Sequence, residues 1–164
     1  RARRLDNEMA TESATRIDLR DLVDNFVAAR QPTTESHTLS FDAVDDPVLV
    51  NVQDGRLVQI LDNLLANAAS FAPPATTISF SVGMTAAGDA SLEVRDKGLG
   101  IPPDRLEEVF DRFYSERPAD EAFGEHSGLG LSIAQQIARG YGGNLVVRNE
   151  DGACFTLTLP CAST

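Results

Sequence analysis

One stretch constrains this chain more than any other: D-G-R-L-V-Q-I-L-D-N-L-L-A-N-A-A-S-F, residues 54–71. Leu57, Ile60, Leu61, Leu64, Leu65 and Ala68 recur at three- and four-residue intervals, which gathers them on one face of an α-helix. Asp54 reads as the N-cap, and Pro73-Pro74 as the stop. A helix this apolar along one side must be buried against another element. Period-two segments at 38–44, 48–52, 76–84, 90–96, 144–149 and 153–159 predict strands that could cover it. Asp45, Asp46 and Pro47 predict a turn between the first two. A helix over 18–30 carries Leu19, Leu22, Val23, Phe26 and Val27 and stops at Pro32. Another over 128–139 stops at Gly140. A short acidic helix opens on Pro102 and Pro103, and residues 115–127 carry no pattern. The order, helix then strand pair three times over, predicts an antiparallel-rich sheet with helices on one face.

The chain has 164 residues, enough for one domain of ordinary size. Its 14 Lys and Arg against 25 Asp and Glu leave a net charge of −11. Such a surface repels phosphate backbones and anionic lipid heads, so nucleic acid is not an expected partner. No run approaches the ~20 apolar residues of a bilayer span. Cys154 and Cys161 have no metal-ligand spacing around them, and His37 and His126 stand alone, so a zinc site is not expected. Cys154 reads as a small strand residue, and a reducing compartment suits the pair. No GxSxG, HExxH or GxxxxGK[ST] occurs. The polar start, with Leu5 and Met9 four apart, reads as the end of a helix belonging to a longer protein.

Three places carry candidate chemistry. Gln59, Asn63, Asn67 and Phe71 form a second stripe on the 54–71 helix, each four residues from the last. Asn is a poor helix former, by about 0.5 kcal/mol relative to Ala. The stripe is either a solvated polar face or a set of ligands, since carboxamide oxygens suit Mg²⁺ and amide N–H groups suit phosphate. Asp96 shares its strand parity with Leu92 and Val94 and so points to the apolar face, where a carboxylate needs donors. An adenine amino group or backbone amides would serve, and a plain turn-starting Asp is the other reading. Gly98 and Gly100 follow at once and permit close backbone approach. Gly128-Leu129-Gly130-Leu131 opens a helix, whose free N–H groups and dipole suit a phosphate.

In order along the chain these elements resemble the signature boxes of sensor histidine kinases. I-L-D-N-L-L-A-N-A-A-S-F (60–71) resembles the N box, D-K-G-L-G-I (96–101) the G1 box, E-V-F-D-R-F-Y (108–114) the F box and S-G-L-G-L-S-I-A (127–134) the G2 box. G-A-C-F-T-L-T-L-P (152–160) is similar to the domain's final strand. The segment from F-Y-S-E-R-P to the G2 box is similar to the ChvG-type kinases of alphaproteobacteria. The resemblance covers residues 16–160 or so. It implies a Bergerat-type ATP-binding fold: an α/β two-layer sandwich with a mixed, largely antiparallel sheet of about five strands under three helices. Residues 1–15 would be the remnant of a dimerisation helix, and 16–164 the catalytic domain.

By the same resemblance Asn67 ligates Mg²⁺, Asn63 supports the phosphates or the metal, and Asp96 receives the adenine amino group. Gly98 and Gly100 shape the pocket, Phe71 packs on the base, and Gly128 and Gly130 lie against the phosphates. Ser70, Ile101, Tyr114, Arg117, Leu129 and Leu131 complete the nucleotide's surroundings. Residues 115–127 would be an ATP lid, poorly ordered without nucleotide. The implied cofactors are ATP and Mg²⁺. The implied partners are a histidine-bearing dimerisation domain of the same kinase and a cognate response regulator. The fragment would be a monomer with a cytoplasmic place, and the full-length protein a homodimer in the bacterial inner membrane. Two features depart from the family pattern. Ser70 stands where Lys is frequent, with Arg112 or Arg117 as partial substitutes, and no phosphoacceptor box is present. His37 reads as the start of a strand, and His126 falls in the lid. Two other functions compete: an ATPase of the same superfamily, and a catalytically weak nucleotide-binding regulatory module. The ATPases use a Glu base where Asn63 stands, and an amide cannot take that proton.

Overall fold

The computed structural model describes residues 14–101, 103, 106, 108–110 and 129–162. The elements are β1 (Thr15–Asp18), α1 (Leu19–Arg30), β2 (Thr38–Ala43), β3 (Leu49–Val52), α2 (Asp54–Phe71), β4 (Thr77–Met84), β5 (Ala90–Arg95), α3 (Leu129–Gly140), β6 (Asn144–Asn149) and β7 (Ala153–Leu159). Short 3₁₀ turns follow α1 at Gln31–Thr33 and lie at Glu108–Phe110. The second is the described part of the segment read as a short acidic helix.

Five strands form one sheet in the order β2-β4-β5-β7-β6. Only β2 and β4 run parallel; the other neighbours are antiparallel. In register, Phe41, Phe80, Val94, Phe155 and Val147 form one row across the sheet, and Ala43, Val82, Leu92, Leu157 and Leu145 the next. Both rows belong to the core, which the three helices cover from one side. The predicted apolar stripe of α2 is buried in full, from Leu57 to Ala68. In α3 the fully buried Ala134 and Ala138 let its backbone come close to its neighbours. Phe26 of α1 leans on Phe80 at a 5.9 Å centroid distance, and Phe110 meets Phe155 edge-on at 6.1 Å.

The other side of the sheet is polar. Glu93, Arg95, Arg148 and Glu150 form a lattice of ion pairs there. Cys154 sits in register between Arg95 and Arg148 and is fully buried beneath that lattice. Burial, and Glu93 next to it, push its thiol pKa up, which keeps it unreactive.

Three expectations need correction. The segments 38–44 and 48–52 do not pair with each other: β2 lies on the edge of the large sheet, while β3 pairs with β1 in a separate two-stranded sheet. The cause is a knot at the bend between them. Arg20 donates to the carbonyls of Val44 and Asp45, and Asp18 Oδ1 accepts the Val48 N–H at 3.1 Å, which turns the chain off the sheet. β1 itself, only four residues long, gives too short a pattern to be recognised. Finally, Gln53 and not Asp54 caps α2: its side-chain oxygen accepts the Arg56 N–H at 2.7 Å, and Asp54 falls in the first turn, where the helix dipole favours its charge.

Asp18 also caps α1 and pairs with Arg20 at 2.9 Å. The Arg20 hydrogen bonds, aided by the Val48 and Arg20 N–H groups, hold its carboxyl below the ordinary 3.8 against an opposing effect of burial. An acid depressed on folding contributes stability that is complete above its unfolded value and is lost as pH falls through the folded one. Urea unfolding between about pH 5 and pH 2 should therefore show an acid-side loss of stability that is shallower in Asp18→Asn. Equal slopes for the two proteins would remove Asp18 from this role.

Candidate functional site

The second stripe of α2 faces the ends of two other elements. At one end Gly130, in the first turn of α3, lies over Asn63: the Asn63 amide donates to the Gly130 carbonyl at 3.0 Å. A Cβ on Gly130 would sit 3.4 Å from Asn63 Oδ1, so the helix start rests directly on that side chain. At the other end Gly98 lies against the last residue of α2, where an added Cβ would be 3.0 Å from the Phe71 carbonyl oxygen. Eight residues separate Asn63 from Phe71, about 12 Å along the helix axis. Asn67 lies midway, half-buried, with no hydrogen bond to a described residue. Gln59, the first member of the stripe, is exposed and lies outside this trough.

Asp96 closes the trough at the Phe71 end. It is 4% exposed, on the apolar side of β5 as its parity predicts. The N–H groups of Gly98 and Ala153 both donate to Oδ1, at 2.8 and 3.2 Å. Oδ2 has no partner among the described residues. Burial raises the Asp96 pKa above 3.8, opposed by those two N–H groups and by His37 nearby. A buried carboxylate with one oxygen fixed by backbone and the other free is a directed acceptor, suited to an N–H₂ group on a flat base. The turn-starting reading holds as well, because the Gly98 N–H bond is an Asx-type turn. The same bond pins the loop that forms the pocket wall.

His37 precedes β2, and its ring is buried. Nδ1 lies 2.7 Å from the Ser36 hydroxyl and Nε2 lies 3.1 Å from the Ala72 carbonyl. With Nε2–H donating to that carbonyl, the ring is a brace for the end of α2. Ser70 and Phe71 are half-buried, and both have interaction partners. Ile101 and Leu131 are half-buried against the core. Tyr114, Arg112, Arg117, Gly128, the proposed lid 115–127, His126 and the leading residues 1–13 lie outside the described residues, as does the Leu129 side chain.

The sequence reading missed three contributors. Gly152 is at φ +124°, and a Cβ there would be driven into the Asp96 carbonyl oxygen. Ala153 provides a main-chain donor to the Asp96 carboxylate. Asn149 clamps Ile101 from the end of β6. The run N-E-D-G carries a hairpin-turn signal, and that ordinary signal conceals the second use.

Among the described residues no group of three or more His, Cys, Asp or Glu side chains could hold a metal ion. Mg²⁺ needs no such cluster, since one amide oxygen can hold it while water and phosphate oxygens fill the other positions. The uncommitted Asn67 carboxamide is a donor of that kind.

Residues 52–163 match the family described as histidine kinase-, DNA gyrase B- and HSP90-like ATPase. The chain is 38% identical to the sensor protein ChvG of Agrobacterium fabrum over 99% of its own length, and 31% identical to the sensor histidine kinase WalK of Bacillus subtilis over 85%. It spans only 30% and 23% of those proteins. Among solved structures, the mycobacterial sensor histidine kinase MprB superposes with a TM-score of 0.77 at 25% identity, covering 92% of this chain and 99% of that one. Full-length ShkA, solved in complex with AMPPNP, matches with the same TM-score, 0.77, at 24% identity, over 93% of this chain and 32% of its own; at that identity the likeness is one of fold.

Replacing Asp96 by Asn keeps an oxygen for the two N–H donors and removes a buried charge. A carboxyl whose pKa rises on folding costs stability that builds as pH climbs from the unfolded value and is complete above the folded one. Asp96→Asn should therefore melt at an equal or higher temperature without ligand, while adenine nucleotide affinity falls by about 1–3 kcal/mol. Calorimetry and thermal unfolding on one sample check both signs. The matched residues place the chain in the histidine kinase-, DNA gyrase B- and HSP90-like ATPase family, and within it the chain is similar over nearly its whole length to domains of sensor histidine kinases.

Proposed function

We propose that the chain binds Mg·ATP in the trough along α2 and passes its γ-phosphate to a histidine on a separate dimerisation domain of the same kinase, in two-component signalling to a cognate response regulator. The observation that carries this reading is the buried Asp96 carboxylate, with Oδ1 tied to two backbone amides and Oδ2 without a partner among the described residues. It gives the base a single orientation, and the phosphates then run along α2 past Asn67 to Asn63 and the start of α3. Phosphoryl transfer asks for positioning and charge stabilisation and little covalent chemistry, and this arrangement suits it. Asn67 would hold the metal, which when bound neutralises charge on the phosphate oxygens. Asn63 supports the phosphate end, and its amide already fixes the first turn of α3 at Gly130. Phe71 would pack on the base.

The remaining assignments belong to the same reading. Residues 16–164 are assigned to the catalytic domain, whose first strand already includes Thr15, and on its own it is monomeric. Gly100, Ser70, Ile101, Tyr114, Arg117, Gly128, Leu129 and Leu131 surround the nucleotide, and nucleic acid is not a partner. No helix among the described residues is long and apolar enough to cross a membrane. The domain would work in the cytoplasm, anchored through a full-length homodimer in the inner membrane. Hydrolysis in the manner of the related ATPases is disfavoured, because Asn63 stands on the helix where those enzymes carry a Glu base, and its amide has no proton-accepting capacity near neutral pH.

Two measurements test this. Calorimetry should show Mg·ATP and ADP binding, with GTP weaker because its base offers a carbonyl where adenine offers an amine. No heat with ATP or ADP at millimolar concentration would end the proposal. Asn67→Ala should abolish phosphate transfer to the dimerisation domain of the full-length protein, yet leave apo stability unchanged or slightly raised, since Ala is the better helix former. A large loss of apo stability would make the polar stripe structural.

A further inference from the structure

Asn149 ends β6 and reaches the glycine loop that follows Asp96. It makes two hydrogen bonds to one residue. The Ile101 N–H donates to Oδ1 at 2.8 Å, and Nδ2 donates to the Ile101 carbonyl at 2.6 Å. A paired strand residue holds its neighbour in this way; here a side chain does it. Gly100 is shaped to admit that side chain. It sits at φ +84°, and a Cβ on it would lie 2.6 Å from Asn149 Oδ1. Along the rest of the loop, Leu99 is 105% exposed and gives it no anchorage. The loop is therefore fixed at two points, by Gly98 on the Asp96 carboxylate and by Ile101 on Asn149. The short turn that carries Asn149 also delivers Gly152 and the Ala153 N–H to Asp96. One hairpin thus sets both the acceptor and the wall beside it.

We propose that Asn149 is a positioning residue for the adenine base: through Ile101 it sets the height of the 97–101 loop over the pocket. The inference rests on Asp96 being the adenine acceptor. It also gives the second glycine of the loop a reason in the protein's own packing, since a Cβ on Gly100 would collide with Asn149 Oδ1.

The test uses the whole 164-residue chain with Asn149→Ala and Asn149→Asp, which keeps an acceptor for the Ile101 N–H and loses the donor to its carbonyl. Hydrogen exchange at the Ile101 amide reports the clamp, and calorimetry with ATP, ADP and adenosine reports the base. In Asn149→Ala the Ile101 amide should exchange faster, and Kd should rise about three- to tenfold, by the same factor for all three ligands. Asn149→Asp should fall in between. An affinity loss confined to ATP would overturn the proposal, because it would place the effect at the phosphates. Unchanged Kd values in Asn149→Ala, beside a wild-type chain that binds all three ligands, would overturn it while leaving the adenine reading intact. Failure of the wild-type chain to bind any of them would overturn both, and unaltered Ile101 exchange would show that no clamp operates.

Discussion

A carboxylate inside an apolar sheet face governs this structure. Asp96 lies buried just past the end of β5, where desolvation opposes its charge and raises its pKa. Its tolerance depends on two backbone amides arriving at one oxygen, and each has its own requirement. The Gly98 amide needs a tight turn that presses on the end of α2. The Ala153 amide needs β7 in strict antiparallel register with β5, with a glycine ahead of it so that the Asp96 backbone can come close. The β5–β7 pairing, the hairpin from β6 and the C-terminal end of α2 are thus all fixed by one unfavourable burial. Structures commonly accept such a cost where a group must act on a ligand.

Helix α3 is tied to α2 at both ends. Asn63 takes the Gly130 carbonyl at its start, and the Tyr141 hydroxyl accepts the Gln53 N–H at 3.0 Å just beyond its end. Between these ties α3 buries the small side chains of Ala134 and Ala138 in the core. The first tie involves a residue that also faces the trough. A ligand that competes for the Asn63 amide would bear directly on how the first turn of α3 is held, whereas the Tyr141 tie stands clear of it. The helix is thus built with one responsive end and one fixed end.

Much of this was legible in the sequence. The α2 stripe, the direction of Asp96 and the glycines Gly98 and Gly100 after it are local patterns, decided by periods of 3.6 and 2 and by residue type. What escaped depends on pairs far apart in the chain. Strand segments 38–44 and 48–52 look like a hairpin, and only the Asp18–Arg20 knot, some thirty residues upstream, separates them into two sheets. The parallel pairing of β2 with β4 leaves no local mark, since both strands alternate as antiparallel ones do. Asn149 and Gly152 have good reasons to be turn residues, and their contacts with Ile101 and Asp96 become visible only once β5, β6 and β7 are side by side. Gln53 outranked Asp54 as cap because a longer carboxamide can fold back to the helix start, a matter of geometry and not of propensity.

The small sheet has a mechanical consequence. In it β3 lies between β1 on one side and the last residues on the other, where Val50 pairs with both Ile17 and Cys161, and the Ala162 N–H donates to the Leu49 carbonyl. The two ends of the folded body therefore emerge on strands two spacings apart, about 10 Å. Anything joined at either end grips the same small patch, away from the five-stranded sheet. A pull on either of these strands therefore meets the small sheet before it meets the strands that carry Asp96 and Asn149.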